Sequence, residues 1–217
     1  MPATLKEASG LLMAGALAGL IAVAPLCAMR QKYWRKSTAK QRVKDRVVFL
    51  DLDGVLNQTK RADQIVLEPS LCIKLKAIVE GSEKFGPPAQ IVLSTFWKPF
   101  IDYVAYVLGR HGIDGSLVVG ATPGISKSST CIQKSRVRHL LHAEALDDER
   151  VYPDRASEIR EFLRRHPQVK NFVILDDRAD AANGADLSPF FLRTDPSIGL
   201  TDDHVRRARE LLSDASS

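Results

Sequence analysis

Cysteine is scarce in this chain of 217 residues: there are three, Cys27, Cys72 and Cys131. The count is odd and no two sit at metal-ligand or thioredoxin spacing. That argues against a disulfide scaffold and against a cysteine metal centre, and it fits a reducing compartment. Cys27 lies in an apolar stretch, where palmitoylation and a plain apolar role both stay open. Internal repeats are absent too. A basic surplus is missing from most of the chain, although the net charge is +5. Residues 1–46 hold nine Lys or Arg against two acids, a net of +7, so the remainder carries −2. The positive charge thus belongs to a short arm. Nucleic acid stays possible as a partner, but the charge of the larger part gives it no support.

Within the arm runs a stretch that carries no charge, nineteen residues from Leu11 to Met29. As a helix it spans roughly 28 Å at 1.5 Å per residue, close to a hydrocarbon core of about 30 Å. Its many Ala and Gly residues and Pro25 weaken it as a span. Arg30, Lys32, Arg35 and Lys36 follow directly and favour a cytoplasmic side there. The sequence therefore predicts a single-pass anchor through 11–29 and a cytosolic carboxyl-terminal domain. A targeting segment cleaved on arrival at an organelle is the alternative. Two regions result: an anchor or targeting segment with a basic arm, 1–46, and one domain of adequate size, 47–217.

That domain opens on Val47-Val48-Phe49-Leu50, an apolar run of the kind a strand covered on both faces needs. It runs straight into Asp51-Leu52-Asp53-Gly54. An open α/β sheet places its ligands at the carboxyl ends of its strands, which is where these two acids emerge. Carboxylates held close repel unless a proton or cation lies between them, and Mg²⁺ takes oxygen ligands. A plain Asp-Gly turn at a strand end is the other reading. Two later segments repeat the design. Ile91-Val92-Leu93 ends in Ser94-Thr95, and Phe172-Val173-Ile174-Leu175 ends in Asp176-Asp177, with Asp180 following.

Between these strands the apolar periodicity predicts helices from Pro69 to about Glu80, from about Pro99 to Arg110, and from Arg155 to Arg165. The first would turn Leu71, Ile73, Leu75 and Ile78 inward. A strand is expected at 116–120, a loop at 122–130, a late edge strand at 190–192 and a terminal helix from Thr201 to Leu212. Strands alternating with helices give an α/β fold, a doubly wound parallel sheet. His139 and His142 fit one polar helix face better than a metal site. Phe96-Trp97 suits a pocket wall, with base stacking as the alternative.

At these residues the sequence resembles the haloacid dehalogenase (HAD) superfamily of phosphatases and phosphotransferases. Asp51 to Val55 matches its first motif, Ile91 to Ser94 its second and Val173 to Asp177 its fourth. Leu93-Ser94-Thr95-Phe96-Trp97-Lys98, Gly120-Ala121-Thr122-Pro123, Glu158-Ile159 with Phe162-Leu163, and Gly199-Leu200-Thr201 are similar to the HAD domain of multidomain RNA-repair proteins. The resemblance implies a Rossmann-like fold, here with little or no cap, and a phosphatase for a phosphorylated substrate of unknown class. It implies Asp51 as nucleophile, Asp53 as general acid and base, and Ser94 as a donor to the phosphoryl group. Thr95 and Lys98 would help bind substrate. Mg²⁺ would be held by Asp51, Asp53 through its backbone carbonyl, Asp176, and Asp177 or Asp180. The superfamily's third motif supplies a cation, usually Lys, and no Lys stands in the usual stretch before the fourth. Arg155 is the best-placed replacement and Lys98 the other, with an exposed helix-start charge as the plainer reading of Arg155. The resemblance also leaves open a polynucleotide-end phosphatase and a catalytically silent HAD-fold binding module.

Overall fold

The computed structural model describes residues 42–58, 66–81, 86–126 and 150–213. The expected apolar helix at 11–29, the histidine pair and residues 127–149 of the stretch from Phe96 to Pro153, where little material for a cap was expected, lie outside the described residues. The chain runs β1 (Arg46–Leu50), α1 (Pro69–Val79), β2 (Gln90–Leu93), α2 (Ile101–Arg110), β3 (Val118–Ala121), β4 (Ile125–Ser126), β5 (Val151–Tyr152), α3 (Arg155–Arg165), β6 (Asn171–Asp176), β7 (Phe191–Arg193) and α4 (Asp202–Leu212). Five strands form one parallel sheet in the order β3-β2-β1-β6-β7. The order reverses at β1, so the crevice between β1, β2 and β6 is where such sheets take their ligands. β4 and β5 make a separate parallel pair.

Alternation along the strands explains the layers. Val48, Leu50, Ile91, Leu93, Val173 and Leu175 point to one face, where they pack with Leu71 and Leu75 of α1, Val104 and Leu108 of α2, and Ala208 and Leu212 of α4. Val47, Phe49, Val92, Phe172 and Ile174 point to the other, where Ala156, Ile159 and Phe162 of α3 cover them. Phe49 meets Phe162 and Phe172 edge-on at 5.4 and 5.9 Å between centroids. Two buried faces are why β1 and β6 read as unbroken apolar runs.

The helices depart from expectation at two points. Ile73 is 64% exposed, because α1 buries Leu71, Cys72, Leu75, Ile78 and Val79 instead. That stripe follows the three- and four-residue spacing of a helix face, which a residue two after Leu71 misses. The strand expected at 116–120 starts two residues later, after a tight turn at Gly115–Leu117 whose Ser116 amide is held by Asp114.

The expectation of a single-pass membrane protein is corrected here. Among the described residues no helix is long and apolar enough to cross a membrane. The four α-helices among the described residues have 10 or 11 residues each, about half the length that a span needs, and each sets one face against the sheet.

Candidate active site

The strand register brings the motif residues to one edge. Leu50 is level with Leu93 on one side and Leu175 on the other, so Asp51, Ser94 and Asp176 follow at the same height. Backbone bonds continue past the strands: Ser94 N–H donates to Leu50 O at 2.8 Å, and Asp51 N–H donates to Leu175 O at 3.0 Å.

Asp51 is buried, and its Oδ1 accepts the Leu52 amide at 2.8 Å. Its Oδ2 takes a hydrogen bond from Nη1 of Arg155, and the same nitrogen donates to Oδ2 of Asp176 at 2.5 Å. Asp154 starts α3 by accepting the Ser157 amide at 2.8 Å, which makes Arg155 the first helical residue. A cation there opposes the helix dipole. Its two carboxylate partners outweigh that. Arg155 is therefore no exposed helix-start charge: it is 4% exposed, between two acids. Burial works to discharge the guanidinium, but Asp51 and Asp176 overcome it and hold its pKa above the ordinary arginine value.

Asp176 is fully buried, and its Oδ1 accepts the Arg178 amide at 2.8 Å. Burial first, then the Asp51 charge, pushes its carboxyl up to about 8, against the pull of Arg155. Asp177 is raised for the same two reasons in the same order. Oxygens of Asp51, Asp176 and Asp177 lie within 4.8 Å of one another. Three acids crowd around one guanidinium, and a divalent cation such as Mg²⁺, which takes hard oxygen donors, fits the set because it would let all three ionise. Asp180 is engaged elsewhere, in a two-bond pair with Arg178 at 2.7 and 2.9 Å.

Asp53 stands apart from that cluster. Its Oδ1 accepts Asn57 Nδ2–H at 2.9 Å and its Oδ2 accepts Trp97 Nε1–H at 2.8 Å. Gly54 between them has φ +74°, and its amide donates to Asn57 Oδ1 at 3.1 Å. A Cβ on Gly54 would lie 2.7 Å from the Asp177 carboxyl. Gly54→Ala is accordingly expected to destabilise the domain by about 1–3 kcal/mol and to weaken Mg²⁺ binding. Urea melts with and without Mg²⁺ check both; an unchanged midpoint would mean that the turn tolerates a side chain.

Ser94 is buried, and its Oγ has no hydrogen-bond partner among the described residues. Thr95 Oγ1 accepts the Trp97 amide at 3.3 Å. Lys98 is buried and spoken for: Nζ donates to Glu158 Oε2 at 2.7 Å and to Thr122 Oγ1 at 3.4 Å, while Thr122 Oγ1 donates to the same Glu158 oxygen at 2.8 Å. The two cations weighed for the third motif thus divide. Arg155 touches Asp51 and Asp176, and Lys98 answers Glu158.

The family model described as the HAD domain in Swiss Army Knife RNA repair proteins matches residues 47–205. The chain belongs to this family. No curated protein and no solved structure matches it. Three residues of this HAD domain that shape its site were assigned no role from sequence, Asn57, Thr122 and Glu158, and Trp97 was read only as a pocket wall or a base-stacking ring. Glu158 did carry a signal, since an acid three residues after Arg155, beside Ile159 on the inward stripe, is out of place unless paired. Nothing local marked the Trp97 indole as a partner of Asp53.

Proposed function

We propose that this HAD domain is a Mg²⁺-dependent phosphomonoester hydrolase that works through an aspartyl-phosphate on Asp51. One observation carries the reading: Asp51 is fixed on both oxygens at a strand end, beside a second acid that shares its cation and a buried hydroxyl that lacks a partner. A structural ion pair explains the arginine and not the idle Ser94, whose burial without a bond costs about 1–3 kcal/mol. A phosphoryl oxygen bonded by Ser94 Oγ–H removes that penalty.

The chain's own groups then act in order. Arg155 and Ser94 hold the phosphoryl oxygens while the free lone pairs of Asp51 attack phosphorus. As the ester P–O bond breaks, its electron pair stays on the leaving oxygen, which takes the Asp53 proton. Asp53, now a carboxylate, removes a proton from the water that hydrolyses the aspartyl-phosphate; such help is worth about 10²–10⁴ in rate. Mg²⁺, held by Asp51, Asp176, Asp177 and the Asp53 carbonyl, would screen the nucleophile from the phosphate's charge.

The family's description favours one narrower reading, a phosphatase for a phosphorylated polynucleotide end, although the net charge of −2 past the arm argues against tight binding to a polyanion. Phosphoproteins, nucleotides and 3′- or 5′-phosphorylated oligonucleotides, assayed with Mg²⁺ and with EDTA, decide between the substrate classes. In the same assay Asp53→Asn is expected to accumulate phosphoenzyme from p-nitrophenyl phosphate, read as acid-stable, hydroxylamine-labile label. If no substrate turns over and no label forms, the domain is a binding module that kept its acids.

A further inference from the structure

Trp97 occupies an unusual place for a tryptophan that a pocket wall alone would explain. Its ring is partly buried against the larger core cluster and braced by Phe96 and Phe100, at 5.9 and 6.0 Å between centroids. It follows the second motif by three residues and opens the short turn Lys98–Phe100. Thr95 Oγ1 accepts its amide, so backbone and ring are both tied down. The one polar atom of that fixed ring meets Asp53 Oδ2 at 2.8 Å, while Asn57 holds Oδ1 at 2.9 Å.

We propose that Trp97 is a positioning residue for proton transfer, orienting the Asp53 carboxyl toward the leaving oxygen through its indole N–H. This rests on the phosphatase reading above. A carboxyl on a short side chain turns freely about its last bond, and proton transfer needs heavy atoms about 2.6–3.2 Å apart and aligned. Two donors, one on each oxygen, fix the plane of the group. Their parts differ. Asn57 sits in the same turn as Asp53 and moves with it, whereas Trp97 comes from the loop after β2, the strand that delivers Ser94. The indole therefore registers the acid against the phosphoryl pocket. An indole N–H donates and never accepts, so it holds Oδ2 as an acceptor before and after the proton leaves.

The prediction concerns which substrates suffer. A nitrophenolate leaves without a proton, whereas an alkoxide needs one. Trp97→Phe, which keeps an aromatic ring and loses the N–H, is expected to slow phosphoenzyme formation, read in single turnovers, by about tenfold or more from alkyl phosphates and by no more than about twofold from p-nitrophenyl phosphate, while the later hydrolysis, which also uses Asp53, slows alike for both. Benzothienylalanine at position 97 keeps the shape of tryptophan with sulfur in place of N–H, and the same split is expected there, which removes misfolding as a cause. In an Asp53→Asn background Trp97→Phe should add nothing. Equal losses on both leaving groups, no loss, or full additivity with Asp53→Asn would overturn the proposal while leaving the phosphatase standing. A wild-type protein inactive on every phosphate ester overturns both.

Discussion

Asp51→Asn is expected to end turnover while the domain stays folded. The amide has the size of the carboxylate, and its oxygen can still accept the Leu52 amide that now bonds Oδ1. What disappears is the charge on Oδ2, the atom facing Arg155. Without it the chain has no nucleophile of comparable placement, and losses from removing such a group run to about 10⁴-fold or more. Stability should change little, because the lost Arg155 bond to Oδ2 and a relieved repulsion oppose each other. The Asp51 charge is second only to burial in pushing the Asp176 carboxyl upward, so its removal relieves a like-charge contact in the interior. Arg155 keeps Asp176 as its partner. Phosphate release and a thermal melt on the same preparation test both halves. Turnover near wild-type in a folded Asp51→Asn protein would eliminate the aspartyl-phosphate route.

Arg155→Ala should be costly in a different way. It leaves two carboxylates facing each other at side-chain exposures of 6% and 0%, with no cation between them. Removing one partner of a buried ion pair typically destabilises by about 3–5 kcal/mol. A divalent cation repairs part of that, so the melting temperature of Arg155→Ala should rise more on adding Mg²⁺ than that of the wild type. The dianionic phosphoryl also loses a fixed positive charge, and kcat/KM is expected to fall by at least about 10²-fold. Arg155→Lys should recover a share of both. A single guanidinium nitrogen, Nη1, contacts both acids, so the site uses a point charge rather than the two-pronged fork that lysine lacks. Lys98→Ala strands Glu158 in the interior and should therefore depress stability more than the transition state. If Lys98→Ala abolishes turnover and Arg155→Ala leaves it intact, the two assignments must be exchanged.

The residues that sit where a strand stops were the legible ones. Asp51, Ser94 and Asp176 each end an apolar run, and a parallel sheet brings such ends together whatever lies between. Gly54 was legible because a turn re-aiming two acids needs a backbone that side chains resist, and its φ is +74°. The partners were not. Glu158 lies 60 residues from Lys98, and Trp97 lies 44 from Asp53. No local pattern encodes a contact that only the closed sheet creates. Ile73 misled because apolar residues at spacing two mimic a face that a helix does not have. The β4–β5 pair, two residues on each side, is too short to leave any periodicity. The apolar run at 11–29 was read from its length, its lack of charge and the basic residues after it, and the described helices offer no span to set beside it.

Arg155 and Glu158 are three residues apart on the opening turn of α3, one reaching Asp51 and Asp176, the other Lys98 and Thr122. A helical turn is stiff, and these two side chains share one side of it. The turn therefore works as a two-pin plug seated in the sheet, one pin at β1 and β6, the other beside β2 and β3. Gaining or losing a single residue within α3 between Glu158 and Ile159 would rotate the plug by about 100° against the Ile159 and Phe162 stripe that packs on the sheet, and would pull both pins at once. The spacing of the pins to that stripe thus matters to the candidate site as much as any acid in it.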